Sequence, residues 1–529
     1  MAPAPGPWIA PTGPFNVADY YLLPHLKAGR ANRAYMHCED QTLTYGQLHE
    51  RSNRVGNVLR GLGVEPEHRV ALLLLESLVF PPCFFGAVRI GAVAVPINTM
   101  LGPQDYAYML NDSRARVVIV DRAMWGQVEP VLGELRYVRH ILIANGKVPG
   151  RESIEALMAA ASPELKTEPM SPDDAAFWLY TSGSTGAPKA AVHLHHDMVY
   201  VTHHFSEPVL GLTENDLGFS AAKFFFAYGL GNSLYFPLAN GGRTVIQGGR
   251  PTPESTFATL EKFRPTVFYG VPTLFNALIN TYEAWLEGKS HPPEKLPRLE
   301  YLRFSVSAGE SLPPELFQRW KKHFGTPILD GIGSTEMLHI FISNRLDALR
   351  PGSTGQVVPG YEARLTDEHG KDVPEGEVGA LLVKGDSAAS AYWNKHEKTK
   401  TTMLGEWLVT GDQFHRDADG FYWYHGRNDD MMRVSGAWVS PIEVENALLS
   451  HPAVGECAVV GHKDAAGLTK TKAFIVLKAG QTAGEPLADR LREHVRDKIS
   501  GFKAPQWVEF VADLPKTATG KIRRFELRR

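Results

Sequence analysis

The chain has 529 residues, of which 43% are hydrophobic and 21% charged, and its formal net charge is −3. This length exceeds one ordinary core and predicts two or more domains, while the small net charge excludes the basic field that nucleic acid or an anionic membrane surface would attract. The three scattered cysteines cannot form a disulfide framework or a cysteine metal site, so they favour a reducing compartment.

The first elements predicted along the chain are a leader, a surface helix and a sheet. MAPAPGPWIAPTGPF (1–15) lacks the charged and apolar regions of a secretory signal, and its prolines predict a flexible leader. Thr44 and Gln47 stand at capping-box spacing before a helical apolar face that consists of Leu48, Val55, Val58, Leu59 and Leu62. The apolar runs RVALLLLES, AVAVPIN and ARVVIVDR are separated by helical lengths, which predicts a parallel sheet buried on both faces. Charges and prolines interrupt 70–97, so this region predicts strand, helix and strand and not a membrane span.

A glycine-rich polar stretch, TSGSTGAPK (181–189), follows the apolar run AAFWLY. Its backbone N–H groups, hydroxyls and lysine are suited to holding a phosphate group. It is not a Walker A loop, because Gly183 and Gly186 are three positions apart and Lys189 precedes Ala190. A surface loop without function is the alternative that these residues leave open.

Five histidines lie close together in HLHHDMVYVTHH (193–204). They are His193, His195, His196, His203 and His204. Their spacing matches no known zinc motif, and the stretch lies where we expect a helix to begin. We therefore predict exposed or packed histidines here and not a metal site.

The rest of the chain predicts more strands and then a smaller unit. TVFYGVP and YLRFSVSAGE predict strands that end in small residues, where α/β folds usually place ligands. Turn signals and alternating strands predict a β-rich subdomain at about 350–428. From 429 to 529 we expect a compact α+β unit, with an N-cap at Ser440, a first-turn proline at Pro441 and a capping box completed by Glu443. The predicted fold is α/β, with a large N-terminal domain (1–428) of parallel-type sheets flanked by helices, the β-rich subdomain, and a small α+β C-terminal domain (429–529).

Three further stretches carry residues suited to nucleotide chemistry. Glu336 in DGIGSTEMLHI follows a predicted strand, and one carboxylate suffices for Mg²⁺ when substrate phosphates supply the other ligands. Asp412 and Arg427 lie among glycines, and a carboxylate can bind both hydroxyls of a ribose. LPKTATGKIRR contains Lys521. Taken singly, an exposed loop glutamate, a solvated loop pair and a basic tail are the alternatives.

In this order, YTSGSTGAPK, GIGSTE, TGD, GRNDD and PKTATGK resemble the motifs of the adenylate-forming superfamily of acyl-CoA ligases, peptide-synthetase adenylation domains and luciferases. The resemblance covers nearly the whole chain. It implies a loop for the β- and γ-phosphates of ATP that consists of Thr181, Ser182, Gly183, Ser184, Thr185, Gly186 and Lys189. It implies an adenine contact along Ser307, Ala308, Gly309 and Glu310, with Asp330 and Gly331 also in the ATP site.

The same resemblance implies roles for four residues around the phosphates and the ribose. Glu336 would help to bind Mg²⁺, and Thr335 would contact the α-phosphate. Asp412 and Arg427 would hold the ribose. Thr335 and Glu336 are therefore expected among the catalytic residues.

The resemblance also implies that the C-terminal domain rotates between the two half-reactions. Lys521 corresponds to the lysine that bridges carboxylate and phosphate during adenylation, and is the third expected catalytic residue. Asp429 corresponds to the hinge about which the small mobile domain rotates, and the loop at Ser435 and Gly436 would then approach coenzyme A. Arg433 stands where many relatives have lysine, so any role that needs lysine geometry is in doubt.

FSAAKFFFAYGLGN and DGIGSTEMLHIF are similar to the benzoate–CoA ligase branch of the superfamily. The resemblance implies a flat aromatic acyl pocket, too short for a fatty acyl chain, lined by Phe226, Ala227, Tyr228, Gly333, His339 and Ile340. Plain core packing is the alternative for the FFFAY cluster.

The function implied is that of an ATP-dependent aryl-CoA ligase. It would activate benzoate or a compact substituted benzoate as an acyl-AMP and then form the CoA thioester, with ATP and coenzyme A as co-substrates and Mg²⁺ as cofactor. The setting implied is aromatic compound catabolism in the cytoplasm, with a homodimer left open. A stand-alone aryl-acid adenylation enzyme that loads a carrier protein is the main alternative, and a non-enzymatic nucleotide sensor is the weakest one.

Overall fold

The computed structural model describes residues 8–183, 186–434, 437–464, 468–478, 480–516 and 522–528. Its α-helices are α1 Val17–Lys27, α2 Tyr45–Gly61, α3 Phe80–Arg89, α4 Pro103–Asp112, α5 Trp125–Val128, α6 Ile154–Ala160, α7 Asp197–Val201, α8 Ala227–Leu230, α9 Phe236–Asn240, α10 Pro253–Phe263, α11 Pro272–Leu286, α12 Pro314–Phe324, α13 His396–Thr402, α14 Pro441–Leu449, α15 Glu485–Lys498 and α16 Arg524–Leu527. Two π-helical turns, Thr202–Ser206 and Gly231–Tyr235, extend α7 and join α8 to α9. Short 3₁₀ turns lie at Arg122–Met124, Glu129–Glu134 and Gly501–Lys503.

The strands alternate with these helices along the first 330 residues and outnumber them afterwards. They are β1 Ala34–Cys38, β2 Gln41–Thr44, β3 Arg69–Leu73, β4 Val93–Pro96, β5 Val117–Asp121, β6 His140–Ala144, β7 Glu152–Ser153, β8 Ala175–Gly183, β9 Gly186–Leu194, β10 Leu217–Ser220, β11 Arg243–Ile246, β12 Val267–Gly270, β13 Phe304–Ser307, β14 Ile328–Gly333, β15 Ile340–Ser343, β16 Gln356–Val357, β17 Glu362–Thr366, β18 Gly379–Lys384, β19 Ala391–Tyr392, β20 Met403–Leu404, β21 Trp407–Arg416, β22 Tyr422–Arg427, β23 Met432–Val434, β24 Ala437–Val439, β25 Val454–Lys463, β26 Thr469–Leu477 and β27 Trp507–Phe510.

Two large sheets form the N-terminal part. The first has the order β19-β9-β8-β4-β3-β5-β6-β7, and its neighbours from β8 to β7 are parallel. The second has the order β16-β15-β14-β13-β12-β10-β11-β1-β2, and its neighbours from β14 to β1 are parallel. The predicted strand, helix and strand at 70–97 are confirmed as β3, α3 and β4, and β3 is almost fully buried. Parallel strands bring their carboxyl ends to one edge, where Gly270, Ser307 and Asp330 become neighbours.

The β-rich subdomain is confirmed as an antiparallel sheet with the order β17-β18-β21-β20, with β22 paired to β21. The smaller C-terminal part consists of the β23–β24 ribbon and a sheet in the order β25-β26-β27, with α14 and α15 packed on it. Asn276 in α11 donates to the carbonyl of Gly455 at 3.3 Å and so joins the two parts. The predicted boundary between residues 428 and 429 stays a prediction.

The capping box predicted for α2 is confirmed, whereas only the N-cap of the box predicted for α14 is present. Thr44 and Gln47 form the reciprocal capping box that starts α2. Ser440 accepts the N–H of Glu443 at the start of α14, but the carboxylate of Glu443 binds Lys503 at 2.6 Å instead of completing a box. Glu443 binds Lys503 in preference to the main-chain N–H of Ser440, because a hydrogen bond between two charged groups is stronger than one to a neutral N–H.

The helix expected to begin within 193–204 is confirmed as α7, which starts at Asp197. It is preceded by β9, because residues 186–194 pair with β8. The leader is anchored at Trp8, whose indole lies edge-on against Tyr200 with ring centres 5.1 Å apart and donates to Asp386, while Ile9 is 80% exposed. In the described part of the chain, the helices are too short or too polar to cross a bilayer.

Candidate active site

The hairpin of β8 and β9 carries the predicted phosphate loop. Thr181 and Lys189 face each other in its antiparallel register. Ser184 and Thr185 lie outside the described residues, and so does the side chain of Ser182. The structure therefore places the base of this loop, and the phosphate contacts of its tip stay a prediction.

Lys189 and Glu336 meet at the centre of the site. The Nζ of Lys189 lies 3.3 Å from Oε1 of Glu336, and the hydroxyl of Tyr392 donates to the same oxygen at 2.5 Å. The Nζ also lies 3.7 Å from the centre of the Tyr392 ring, a cation–π contact. Burial alone would raise the pKa of Glu336, but Lys189 and Tyr392 outweigh burial and hold this pKa below its ordinary value. Glu336 is therefore ionised at neutral pH, as a cation-binding carboxylate must be.

The ammonium group of Lys189 responds to the same surroundings. Burial lowers the pKa of Lys189, and Glu336 opposes this shift without cancelling it. A partly desolvated lysine interacts more strongly with an incoming anion than an exposed one does. This arrangement suits a phosphate contact.

A turn between β14 and β15, residues 334–339, presents Glu336 and is held from outside at two carbonyls. His193 Nε2 lies 2.8 Å from the carbonyl oxygen of Thr335, and its Nδ1 lies 2.7 Å from Asp197 Oδ2. The N–H of Ala389 donates to the carbonyl of Glu336 at 2.7 Å. His193 thus has a structural partner on each side, which gives one member of the histidine cluster a supporting role. Sequence reasoning missed both His193 and Tyr392 as parts of this site, since neither stands in a motif.

Asp412 and Arg427 are brought together as predicted for a ribose site. They face each other in the register of β21 and β22, and Nη1 of Arg427 lies 3.3 Å from Asp412 Oδ1. Gly411 has φ +79 and lies against the guanidinium of Arg427, where a side chain would collide with it. Burial would lower the pKa of Arg427, but Asp412 raises it, with a smaller contribution from Glu336. The pair therefore lies within electrostatic reach of the Lys189–Glu336 centre.

The predicted adenine contact lies at the carboxyl ends of β13 and β14. Ser307 pairs in register with Asp330, and both are buried. Burial raises the pKa of Asp330 well above its ordinary value. Gly309 has φ +96, a backbone conformation that glycine adopts without strain. The remaining predicted residues of this contact are Ala308, which is buried, Glu310, which is half-buried, and Gly331, which is buried.

The predicted acyl pocket is built around His339. Three aromatic rings surround the imidazole, with centre distances of 4.7 Å to Phe236, 5.2 Å to Phe205 and 5.6 Å to Tyr228. Tyr228 donates its hydroxyl to the carbonyl of Val306 at 2.9 Å, which ties this cluster to β13. Burial lowers the pKa of His339 to about 3, so that the imidazole is uncharged at neutral pH. Sequence reasoning named His339 and Tyr228 but missed Phe205 and Phe236.

The other predicted acyl residues border this cluster to different degrees. Ala227 and Ile340 are buried, and an added side chain at Gly333 would collide with the main chain of His339. Phe226 packs its ring against Phe225 with centres 4.4 Å apart, and it is not one of the described rings around His339.

The residues predicted to move or to meet coenzyme A are described only in part. The N–H groups of Asp430 and Met431 both donate to the carbonyl of Arg427, so the chain turns at the predicted hinge residue Asp429. Asp430 pairs with Arg524 and Arg528 from the end of the chain. The predicted residues Ser435, Gly436 and Lys521 lie outside the described residues. Their roles stay predictions, as does the pivot at Asp429.

The donor set fits a cation that arrives with the phosphates. Within the described ranges, no group of three or more His, Cys, Asp and Glu side chains converges as a protein-held metal site would require. Glu336 offers one ionised carboxylate beside Lys189. A single carboxylate is suited to Mg²⁺, because most ligands of this ion in such sites are substrate phosphate oxygens and water molecules.

Comparison with known proteins agrees with this geometry. Residues 25–393 match the AMP-binding enzyme family, and residues 443–521 match the AMP-binding enzyme C-terminal domain. The benzoate–CoA ligase of Thauera aromatica is 47% identical over 516 residues, which cover 97% of this chain and 96% of that protein.

Two solved structures have the same fold over almost their full length. The benzoate CoA ligase of Burkholderia xenovorans LB400 is 46% identical, with a TM-score of 0.89, and the match covers 97% of this chain and 100% of that one. The anthranilate CoA ligase AuaEII, solved with anthranoyl-AMP, is 42% identical, with a TM-score of 0.92, and the match covers 98% of this chain and 97% of that one. The chain therefore belongs to the family of AMP-binding enzymes and carries that family's small C-terminal domain.

Proposed function

We propose that this chain is an ATP-dependent aryl-CoA ligase that activates benzoate, or a compact ring-substituted benzoate, and forms its CoA thioester with release of AMP and pyrophosphate. The chain is an acid–thiol ligase of the AMP-forming class. The observation that carries the choice of substrate is the enclosure of the uncharged His339 by Phe205, Tyr228 and Phe236. Flat apolar rings pack well against an aryl ring, and we expect a pocket bounded by them to be too short for a fatty acyl chain. The full-length likeness to proteins named benzoate–CoA ligase supports the same substrate class.

The first half-reaction converts a poor electrophile into an acyl-AMP. A carboxylate oxygen of the substrate attacks the α-phosphorus of ATP in line, and the bond to pyrophosphate breaks. Lys189 stabilises the phosphate charge, and Lys521 bridges the reacting carboxylate and phosphate. Thr335 contacts the α-phosphate from the turn that His193 holds. When bound beside Glu336, Mg²⁺ supplies further positive charge to the phosphate oxygens.

The nucleoside is held by residues that do not contact the acyl group. Both oxygens of Asp412 face Nη1 of Arg427, at 3.3 and 3.4 Å, and because an ionised carboxylate has about four acceptor positions it can also accept hydrogen bonds from the ribose hydroxyls. Adenine lies along Ser307–Glu310 beside Asp330 and Gly331. The ribose pair Asp412 and Arg427 lies on β21 and β22, in a different sheet from the acyl residues Gly333 and Ile340 on β14 and β15, which lets changes in the acyl pocket leave the ribose contacts in place.

The second half-reaction needs a different surface of the C-terminal domain. The thiolate sulfur of coenzyme A attacks the acyl carbonyl carbon, and AMP leaves with the electron pair of the broken bond. Lys521 is not needed for this step, so rotation about Asp429 can replace it with the loop at Ser435 and Gly436. A glycine at 436 allows the pantetheine chain to approach the main chain closely.

We also propose a cytoplasmic location and a role in aromatic compound catabolism. ATP and coenzyme A are cytoplasmic co-substrates, and the free thiols of Cys38, Cys83 and Cys457 fit a reducing compartment. A homodimer is a further expectation, and size-exclusion chromatography with light scattering tests it.

A panel of acids tests the proposed function. AMP release is measured with ATP, Mg²⁺ and coenzyme A on benzoate, 2-aminobenzoate, 4-hydroxybenzoate and octanoate, and pyrophosphate exchange is measured without coenzyme A. We expect turnover of benzoate or one of its substituted forms, dependence of thioester formation on coenzyme A, and poor activity on octanoate. Efficient turnover of octanoate, or adenylation of benzoate without transfer to coenzyme A, would contradict the proposal.

A further inference from the structure

Asn232 lies on a π-helical turn against His339, which we call the floor of the predicted acyl pocket. The turn Gly231–Tyr235 interrupts the helix between α8 and α9, and such insertions are frequent at functional sites. Oδ1 of Asn232 lies 3.3 Å from Nε2 of His339, and both side chains are buried. The neighbouring Gly231 allows this approach, since an added Cβ there would collide with the imidazole. The π turn thus places an amide where regular helix geometry would place a different residue.

The hydrogen-bond partners of His339 select one tautomer of its ring. An uncharged imidazole carries a single N–H, and the carbonyl of Tyr228 faces the ring as a second acceptor beside Asn232 Oδ1. Nδ1 is buried and has no hydrogen-bond partner among the described residues. A proton on Nε2 meets Oδ1 of Asn232, whereas a proton on Nδ1 would be a buried donor without a described acceptor. This contact favours the proton on Nε2, although Nδ2 of Asn232 is itself buried without a described partner.

We propose that Asn232 is a positioning residue for aryl recognition, because it fixes the protonated nitrogen and the ring plane of His339 against the bound acyl group. This inference rests on the proposed function and adds a determinant of substrate affinity that does not itself need to touch the substrate. With Asn232 in place, the imidazole keeps one orientation among Phe205, Tyr228 and Phe236. Without it, the ring can rotate or change tautomer, and the pocket loses its preorganised shape.

The first test replaces the acceptor with an apolar side chain of similar size. Asn232→Leu removes the bond to Nε2, and we expect the KM for benzoate to rise roughly five- to tenfold, the usual effect of losing one buried hydrogen bond. The KM for ATP should stay within about twofold of wild type, because the nucleotide contacts come from other elements. Ser233→Ala is the matched control, since Ser233 is buried on the same turn and makes no described contact with His339. This control should leave the benzoate KM unchanged.

A double-mutant cycle then asks whether Asn232 acts through His339. In a His339→Phe background there is no imidazole to orient, so Asn232→Leu should change the benzoate KM by less than about twofold there. An equal effect of Asn232→Leu in both backgrounds, or a parallel rise in the KM for ATP, would overturn the inference. If Asn232→Leu does not fold, the same double-mutant cycle is measured with Asn232→Ser, whose hydroxyl is too short to reach Nε2.

The outcome separates this inference from the proposed function. An inactive wild-type enzyme on every aryl acid would refute the proposed function. An active wild-type enzyme whose Asn232 variants show no coupling to His339 would refute only the positioning role.

Discussion

Breaking the ion pair between Glu76 and Lys223 is predicted to loosen a wall of the acyl pocket. Their Nζ and Oε2 atoms lie 2.9 Å apart, and the two side chains are only 6% and 12% exposed. Oε1 of Glu76 also accepts the N–H of Phe224 at 3.1 Å, and the Phe224 ring stacks on Phe80 with centres 4.4 Å apart. These contacts tie the loop after β3 to the segment that leads into Ala227.

The structure sets the size of the expected effect. Lys223→Met leaves the carboxylate of Glu76 buried, with the Phe224 N–H as its remaining described donor. Removing one partner of a buried ion pair costs about 3–5 kcal/mol, and the small residual exposure here favours about 3 kcal/mol. One kcal/mol shifts the melting temperature by roughly 2–4 °C in a unit of about 150–250 residues and by less in a larger one, so the melting temperature should fall by up to roughly 6 °C. The double variant Glu76→Gln with Lys223→Met buries no charge and should recover most of this loss.

Differential scanning fluorimetry and benzoate kinetics measure the two consequences together. We expect Lys223→Met to raise the KM for benzoate more than the KM for ATP, because Phe224 anchors the acyl side alone. Lys262→Met is the matched control, since the Lys262–Asp40 pair is 50% and 93% exposed and solvent screens an ion pair of this kind. Equal melting temperatures for Lys223→Met and Lys262→Met, or a double variant as unstable as the single one, would refute the reasoning.

Three further predictions address the half-reactions and the acyl pocket. Lys521→Ala should slow adenylation by on the order of 10²–10³ while thioester formation from supplied benzoyl-AMP survives, and equal loss in both steps would contradict the two-conformation mechanism. Asp429→Pro should leave ATP–pyrophosphate exchange intact and reduce CoA-dependent turnover, whereas a joint loss in a folded variant would exclude Asp429 as the pivot. Ala227→Leu should raise the benzoate KM by roughly tenfold, the effect of overpacking by ~1–3 kcal/mol, with ATP affinity unchanged; an unaltered benzoate KM would place Ala227 outside the pocket.

Sequence patterns predicted those parts of the fold that short-range physics decides. The capping box of Thr44 and Gln47 and the buried strands β3, β4 and β5 follow from residues within a few positions of one another. The path after the glycine-rich stretch was not predictable in the same way. Residues 186–194 form a strand because β8 offers them a partner, and a tertiary partner is invisible to local propensity.

In the candidate site, too, the sequence predicted the residues that stand in motifs but not those that tertiary packing brings to them. Motifs identified Lys189, Glu336, Asp412 and Arg427, and the structure brings each pair to within 3.3 Å. Tyr392 could not be found from the sequence, because its bond to Glu336 joins residues that no spacing relates. Residue type predicted which groups can do the chemistry, while the groups that orient them are determined by packing.

One short turn controls both the phosphate side and the aryl side of the site. Glu336 and His339 are three positions apart in residues 334–339, so their Cα atoms can be separated by no more than about 11 Å. His193 and Ala389 hold the main chain of this turn, and Asn232 holds the imidazole at its end. The main chain at His339 therefore cannot shift far without affecting the position of Glu336, whereas the imidazole can still rotate about its side-chain bonds. We therefore expect selection among ring substituents to depend on side chains, which can change shape while the main chain that presents Glu336 stays in place.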